Sequence, residues 1–361
     1  MKQTISYRHK LLWRKYLRRM HRINYGKRKK NISRRNPRNI GKEPLKDYIS
    51  IPAQLSFKYD WDMTVKTLSD IQTAIKFKFT NIKKFINIDH SKMEAMSPAS
   101  VLVLASTIER SQKQAGIKFQ GVNEYLPKND VVKYLLNKID YWKYFDVPKL
   151  ETTVTQERFS FFKILDDYQV DNRKIGKMIE FFEEQVGFNG NTKEYLSIAL
   201  GEASANSVEH GYTEGKQDLD RWWLTANIDK KEGIISFVFY DQGIGIFKSV
   251  KNHKDNKLRI MYQNIKDNFK DKPKANILKK MLNYNYSKHD TANRGYGLQT
   301  FRRFIDEAED DGVLFIASEN ASYEYPKDTL NEYRYNLTGT LIVWRLKVSY
   351  DTNANIYLKE S

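Results

Sequence analysis

Apolar residues recur along this chain with two periods, and the changes between them outline its elements. Phe85-Ile-Asn-Ile88 reads as a short buried strand. From Ser97 to Ala115, Val101, Leu102, Leu104, Ala105 and Ile108 form one helical face, with Pro98 in the first turn and Gly116 as the stop. Ile117-Lys-Phe119 is the next strand. A helix capped by Asn129 or Asp130 runs through Leu136, and an aromatic cluster spans Tyr141 to Phe145. Strand, helix, strand, helix predicts a partly parallel sheet. After a connector, in which Phe159–Phe162 is a further strand candidate, Ile175, Met178, Ile179, Phe182 and Val186 give a second helical face. Gly187 to Asn191 reads as a turn, and Thr192 as the cap of a helix reaching His210 with Leu196, Leu200 and Ala203 inward. Two strands follow, Arg221–Ile228 and Ile234–Tyr240. A polar, lysine-rich stretch comes next, with a helix over Ala275–Leu282. Leu298, Phe301, Phe304 and Ile305 share a helix face, and strands at Val313–Ala317 and Gly339–Leu346 close the pattern.

The chain has 361 residues, enough for two ordinary domains and an extension. The expected division is a basic arm over 1–47, an α/β unit over 48–150, a connector over 151–170, a second α/β (α+β) unit over 171–350 and a tail over 351–361. Charge sharpens the first boundary. Formal net charge is +18, and residues 1–42 contain 16 Lys or Arg and no Asp or Glu, so nearly all of the excess sits in the arm. Leu12, Tyr16, Met20 and Ile23 recur there at helical spacing, followed by an aperiodic basic linker from Gly26 to Lys42. Such an arm suits RNA, DNA or an anionic membrane surface, or packs on the body with its charges solvated. There is no apolar run long enough for a transmembrane segment and no secretory leader pattern. With no cysteine, disulfides and thiolate-ligated zinc are excluded, which fits a cytoplasmic protein.

The chemistry concentrates between residues 202 and 298. Glu202, Asn206 and His210 are four apart on one helix, so they line one face with a drift of about 40° per step. An amide oxygen at Asn206 can ligate Mg2+, a hard cation that prefers oxygen. A carboxylate one turn earlier, Glu202, can polarise a water or hydroxyl nucleophile. Asp241, at the end of a strand, can accept a hydrogen bond from an adenine amino group. Gly243 and Gly245 beyond it let the backbone approach a nucleotide. Gly295 and Gly297 open a helix at Leu298, where free N–H groups suit phosphates, with Lys288 and Arg294 as added cations. Each motif taken singly also fits an ordinary polar helix face, a strand-end turn or a solvated loop.

In this order the three motifs resemble the GHKL ATPase superfamily, which includes gyrase, chaperone, histidine kinase and mismatch-repair ATPases. The resemblance covers residues 170–348. It implies an α/β sandwich with a mixed sheet covered by helices on one face, a lid over ATP, and ATP with Mg2+ as ligands. The ending Asn206-Ser-Val-Glu-His210-Gly-Tyr looks most like the anti-sigma-factor serine kinases.

Residues 55–147, with Asp89-His-Ser91 and Ser97-Pro-Ala-Ser100 ahead of a helix, are similar to STAS domains, the partners of those kinases. The family's phosphorylatable serine falls at Ala99, so Ser97 reads as a helix cap. Together the resemblances imply a regulatory Mg-ATP protein with a protein partner, a dimer being compatible with them. It would hydrolyse ATP or pass the γ-phosphate to a serine or threonine. The same residues also suit a catalytically inactive ATP-gated interaction module, or an ATP-regulated nucleic-acid-binding protein using the arm.

Overall fold

The computed structural model describes residues 48–78, 87–116, 123–154, 158–188, 190–212, 219–252, 256–283, 297–308 and 312–348. The chain divides into a unit over 1–46 and a compact unit over 47–361. The arm, the tail and the strand expected at Ile117–Phe119 lie outside the described residues.

The first layer is helical with two small parallel ribbons. β1 (Tyr48–Ser50) and β2 (Gln54–Leu55) lead into α1 (Trp61–Lys78). β3 (Asn87–Asp89) then pairs with β1, and β4 (Ala95–Met96) pairs with β2. α2 (Pro98–Ala115) starts where the sequence places it. Ser97 Oγ accepts from Ser100 N–H at 3.2 Å, Pro98 opens the first turn, and Gly116 ends it in the left-handed region. α3 (Asp130–Lys138) is capped by Asn129, whose Oδ1 accepts from Val131 and Val132 N–H at 2.9 and 3.2 Å. His90 is buried among Tyr141, Trp142 and Phe145, its Nε2 2.8 Å from Tyr141 Oη, and burial pushes its imidazole down to about 4.

The second layer is a five-stranded sheet. Its strands are β5 (Phe159–Asp167), β6 (Trp222–Asp229), β7 (Ile234–Asp241), β8 (Gly312–Tyr325) and β9 (Thr329–Lys347), in the order β5-β6-β7-β9-β8. Every neighbouring pair in it is antiparallel, so the mixed sheet implied by the resemblance is corrected to an antiparallel one.

Its helices are α4 (Asn172–Val186), α5 (Gly190–His210), α6 (Ile246–Lys251), α7 (Asn256–Asn268), α8 (Pro273–Leu282) and α9 (Gly297–Glu307). Three boundaries differ from expectation. α5 begins at Gly190, ahead of Thr192, because Gly187 ends α4 abruptly in the left-handed region; Thr192 is buried inside the first turn instead of capping it. α6 and α7 fill the stretch read as merely polar, with Val250 and Ile265 buried among lysines. β8 and β9 extend far past the expected strands into a long hairpin.

Helices cover both faces of this sheet, where the resemblance implies one. The reason is visible in β6 and β7. Trp222, Leu224, Ala226, Phe237 and Phe239 pack with α4, α5 and α9. Trp223, Val238 and Tyr240, which alternate with them, pack with α1 and α2. A strand that is apolar on both faces has to be covered twice. The layer over 48–150 is that second cover. Trp61 of α1 stacks on Tyr333 at 4.2 Å and donates its indole N–H to the Tyr335 carbonyl at 3.1 Å. Among the described residues no helix is long and apolar enough to cross a membrane.

Candidate functional site

α5 is amphipathic in a way that separates structure from chemistry. Leu196, Ala199, Leu200 and Ala203 are buried against the sheet and α4. Glu202 and Asn206 are half-buried on the adjoining face. The drift of that face carries His210 outward; its side chain is 48% exposed and lies 3.9 Å from Glu209.

The helix end and the β7 turn meet directly. Ile244 N–H donates to the Gly211 carbonyl at 2.6 Å, although the two residues belong to different motifs. Gly243 passes so close to Gly211 that a Cβ there would run into its carbonyl oxygen. Gly245 has φ of 79°, and a Cβ on it would sit 2.7 Å from Ser318 Oγ. Ser318 braces this turn, accepting from Ile246 N–H at 3.0 Å and donating to the Gly339 carbonyl at 2.9 Å. Glu202, Asn206 and Asp241 are thus carried by two segments fastened backbone to backbone.

Asp241 is in register with Trp222 on one side and Thr340 on the other, which places it on the α5 face of the sheet. It is 6% exposed. Burial raises its carboxyl to about 6. The Gly243 N–H, 2.8 Å from Oδ1, the Thr340 hydroxyl and N–H, and the charge of Arg110 all work against that rise. Tyr212, just after α5, is held neutral by burial, with the Asp241 charge adding to the effect. A buried carboxylate oriented by neighbouring donors is suited to accept from an uncharged N–H donor such as an aromatic amine.

Residues 169–312 match the family model for a histidine kinase-like ATPase domain. None of the curated proteins matches the chain. Members of this ATPase family bind ATP, usually with Mg2+. The matched span runs from just ahead of α4 to the start of β8, so it contains α5, β7 and α9 with all three motifs.

Within the ATPase-like span, the third motif is described only at its end. Gly297 opens α9, which packs beside α5, and Leu298 lies half-buried against the core. Lys288, Arg294 and Gly295 lie outside the described residues. Of the residues that support the Asp241 turn, Arg110 and Ser318 escaped the sequence reading, while Gln242 and Thr340 stood inside its motifs without a role of their own. Thr340 had a signal, because it follows Gly339 in the closing strand. Arg110 had none, since its helix reads only as an apolar face.

Proposed function

We propose that the ATPase-like span binds Mg-ATP and that its nucleotide state operates a protein-partner switch. The observation that supports this reading is the 2.6 Å backbone bond from Ile244 to Gly211, which fastens the end of the helix that carries Glu202 and Asn206 to the turn after Asp241. In this reading Asp241 accepts the adenine amino group. Gly243 and Gly245 leave room for the nucleotide. Lys288, Arg294, Gly295, Gly297 and Leu298 supply the phosphate end, and His210 flanks it. Asn206 contributes one oxygen to Mg2+, which takes one or two protein ligands and otherwise uses phosphate oxygens and water. The metal, when bound, neutralises phosphate charge.

Glu202 takes the proton from the attacking water or hydroxyl as its oxygen bonds to the γ-phosphorus. The bond to the β–γ bridging oxygen breaks and ADP leaves. The resemblance of residues 55–147 to STAS partners supports a regulatory role. So does the position of that layer against the sheet that ends in Asp241.

Calorimetry with Mg-ATP, with phosphate release and phosphoprotein followed on the same sample, tests the reading. Asp241→Asn is expected to weaken nucleotide binding at least about tenfold. Glu202→Gln is expected to retain binding and lower turnover about a hundredfold or more. Binding with no turnover in the wild type would replace the enzyme by an ATP-gated module. No binding would end the nucleotide reading and leave the cationic arm, with its salt-dependent polyanion binding, as the function to pursue.

A further inference from the structure

α2 crosses the back of the sheet, and its last turns carry Ser106, Thr107, Glu109 and Arg110. Three of these converge on a single residue of the ATPase-like span. Gln242 Nε2 donates to Ser106 Oγ at 3.1 Å and to Thr107 Oγ1 at 3.4 Å. Arg110 Nη1 donates to the Gln242 carbonyl at 2.7 Å. Glu109 is engaged elsewhere, accepting from the Trp223 indole at 2.8 Å and from Lys113. Gln242 is 2% exposed and sits between Asp241 and Gly243.

The peptide group joining Gln242 to Gly243 therefore has a cation at one end and a carboxylate at the other. Its carbonyl accepts from Arg110, and its N–H donates to Asp241 Oδ1 at 2.8 Å. The C=O and N–H dipoles of a trans peptide point the same way. Charge on either side thus polarises the group in one sense, and the two hydrogen bonds strengthen each other.

We propose that Arg110 is a positioning residue for the candidate nucleotide site, orienting the Asp241 carboxylate through the Gln242–Gly243 peptide. The effect on binding rests on the reading of Asp241 as the base-recognising group; the effect on Asp241 itself does not. The layer over 48–150 then does more than cover the sheet. It adds a charge that favours the ionised form of a group on the opposite face, so a partner that shifts Arg110 alters nucleotide affinity.

The groups facing Asp241 bear this out. α2 supplies Arg110, β7 supplies Tyr240, the segment after α5 supplies Tyr212, and β9 supplies the Thr340 hydroxyl. Burial keeps both tyrosines uncharged, so Arg110 is the cation of the set. Its loss lets the carboxyl rise further above about 6, toward neutral pH.

The test uses the full chain as wild type, Arg110→Met and Arg110→Lys. Mg-ADP affinity is measured by calorimetry from acid to alkaline pH. The Asp241 carboxyl is titrated by carbon NMR, with Asp241→Asn for assignment. Arg110→Met is expected to bind about tenfold more weakly at neutral pH, the loss of one charge-assisted bond. It is expected to recover at alkaline pH, with the carboxyl midpoint moved up. Arg110→Lys, which keeps the charge, is expected to retain most of the affinity.

A Met variant that matches the wild type in affinity and midpoint overturns the proposal. So does a loss that is the same at every pH and shared by the Lys variant, which would mark a packing role. If Arg110→Met fails to fold, Arg110→Gln, a neutral donor, takes its place with the same expectations. If the wild type binds no nucleotide, the ATP reading fails alone, and the carboxyl titration still decides: a moved midpoint upholds the relay and an unmoved one sinks it.

Discussion

Asp241 is a buried carboxyl whose ionisation works against the fold. Its carboxyl titrates near 4 in an unfolded chain and about 6 when folded. Between those values the folded protein holds more protons than the unfolded one. Stability therefore falls as pH rises through this window, and the loss is complete above it. Asp241→Asn is expected to raise the free energy of unfolding at pH 7 by about 2 kcal/mol, with the gain vanishing near pH 4. Denaturant titrations at the two pH values measure this. A variant that is less stable at pH 7 would show that Arg110 and Gly243 more than offset burial.

Asp241 itself was legible, because a run of β-formers ending in Asp-Gln-Gly-Ile-Gly announces a strand end with room beside it. Arg110 was not. Its partner lies 132 residues away, and no local pattern encodes a bond of that span.

At the scale of elements, α1 and the β8–β9 hairpin hold each other. Trp61 is 4% exposed, stacked on Tyr333 and bonded to the Tyr335 carbonyl, while Asp62 Oδ1 accepts from Arg334 N–H at 3.1 Å. Trp61→Ala is expected to cost about 3–5 kcal/mol. It is also expected to raise hydrogen exchange in residues 329–338 well above that in β6, and exchange that rises equally in both would place Trp61 in the global core instead. This contact also explains why the hairpin was read short. Tyr323, Tyr333 and Tyr335 alternate with Glu, Asn and Arg, a weak strand signal without the helix that packs on it. Strong periodicity survived translation into structure: Ile175 to Val186 and Ser97 to Ala115 became α4 and α2 almost to the residue. α7 did not announce itself, since among its described side chains only Ile265 is deeply buried.

At the scale of the whole molecule, residues 47–361 form one compact unit. Removing residues 1–157 would bare Trp223, Val238, Tyr240, Leu341 and Val343 as one apolar surface. The fragment 158–361 is expected to be insoluble or to self-associate when expressed alone, as judged by sedimentation. A monomeric, folded fragment would show that the cover is dispensable. The sequence carried the hint in Trp222–Ile228 and Ile234–Tyr240, where apolar residues occupy both alternating faces and are interrupted by Thr225, Asn227 and Ser236. The pattern could not say which part of the chain would supply the second cover.

The strand order has one more consequence, for the time at which the protein becomes itself. β9 is the last of the described strands, yet it lies inside the sheet, between β7 and β8. α1 and α2 emerge from the ribosome long before the strand against which α1 packs. Until β9 arrives, α1 and β7 both lack the strand they pack against or pair with. The sheet would then close in one late step, and a chain stopped ahead of β9 would be a chaperone client, not a smaller working protein.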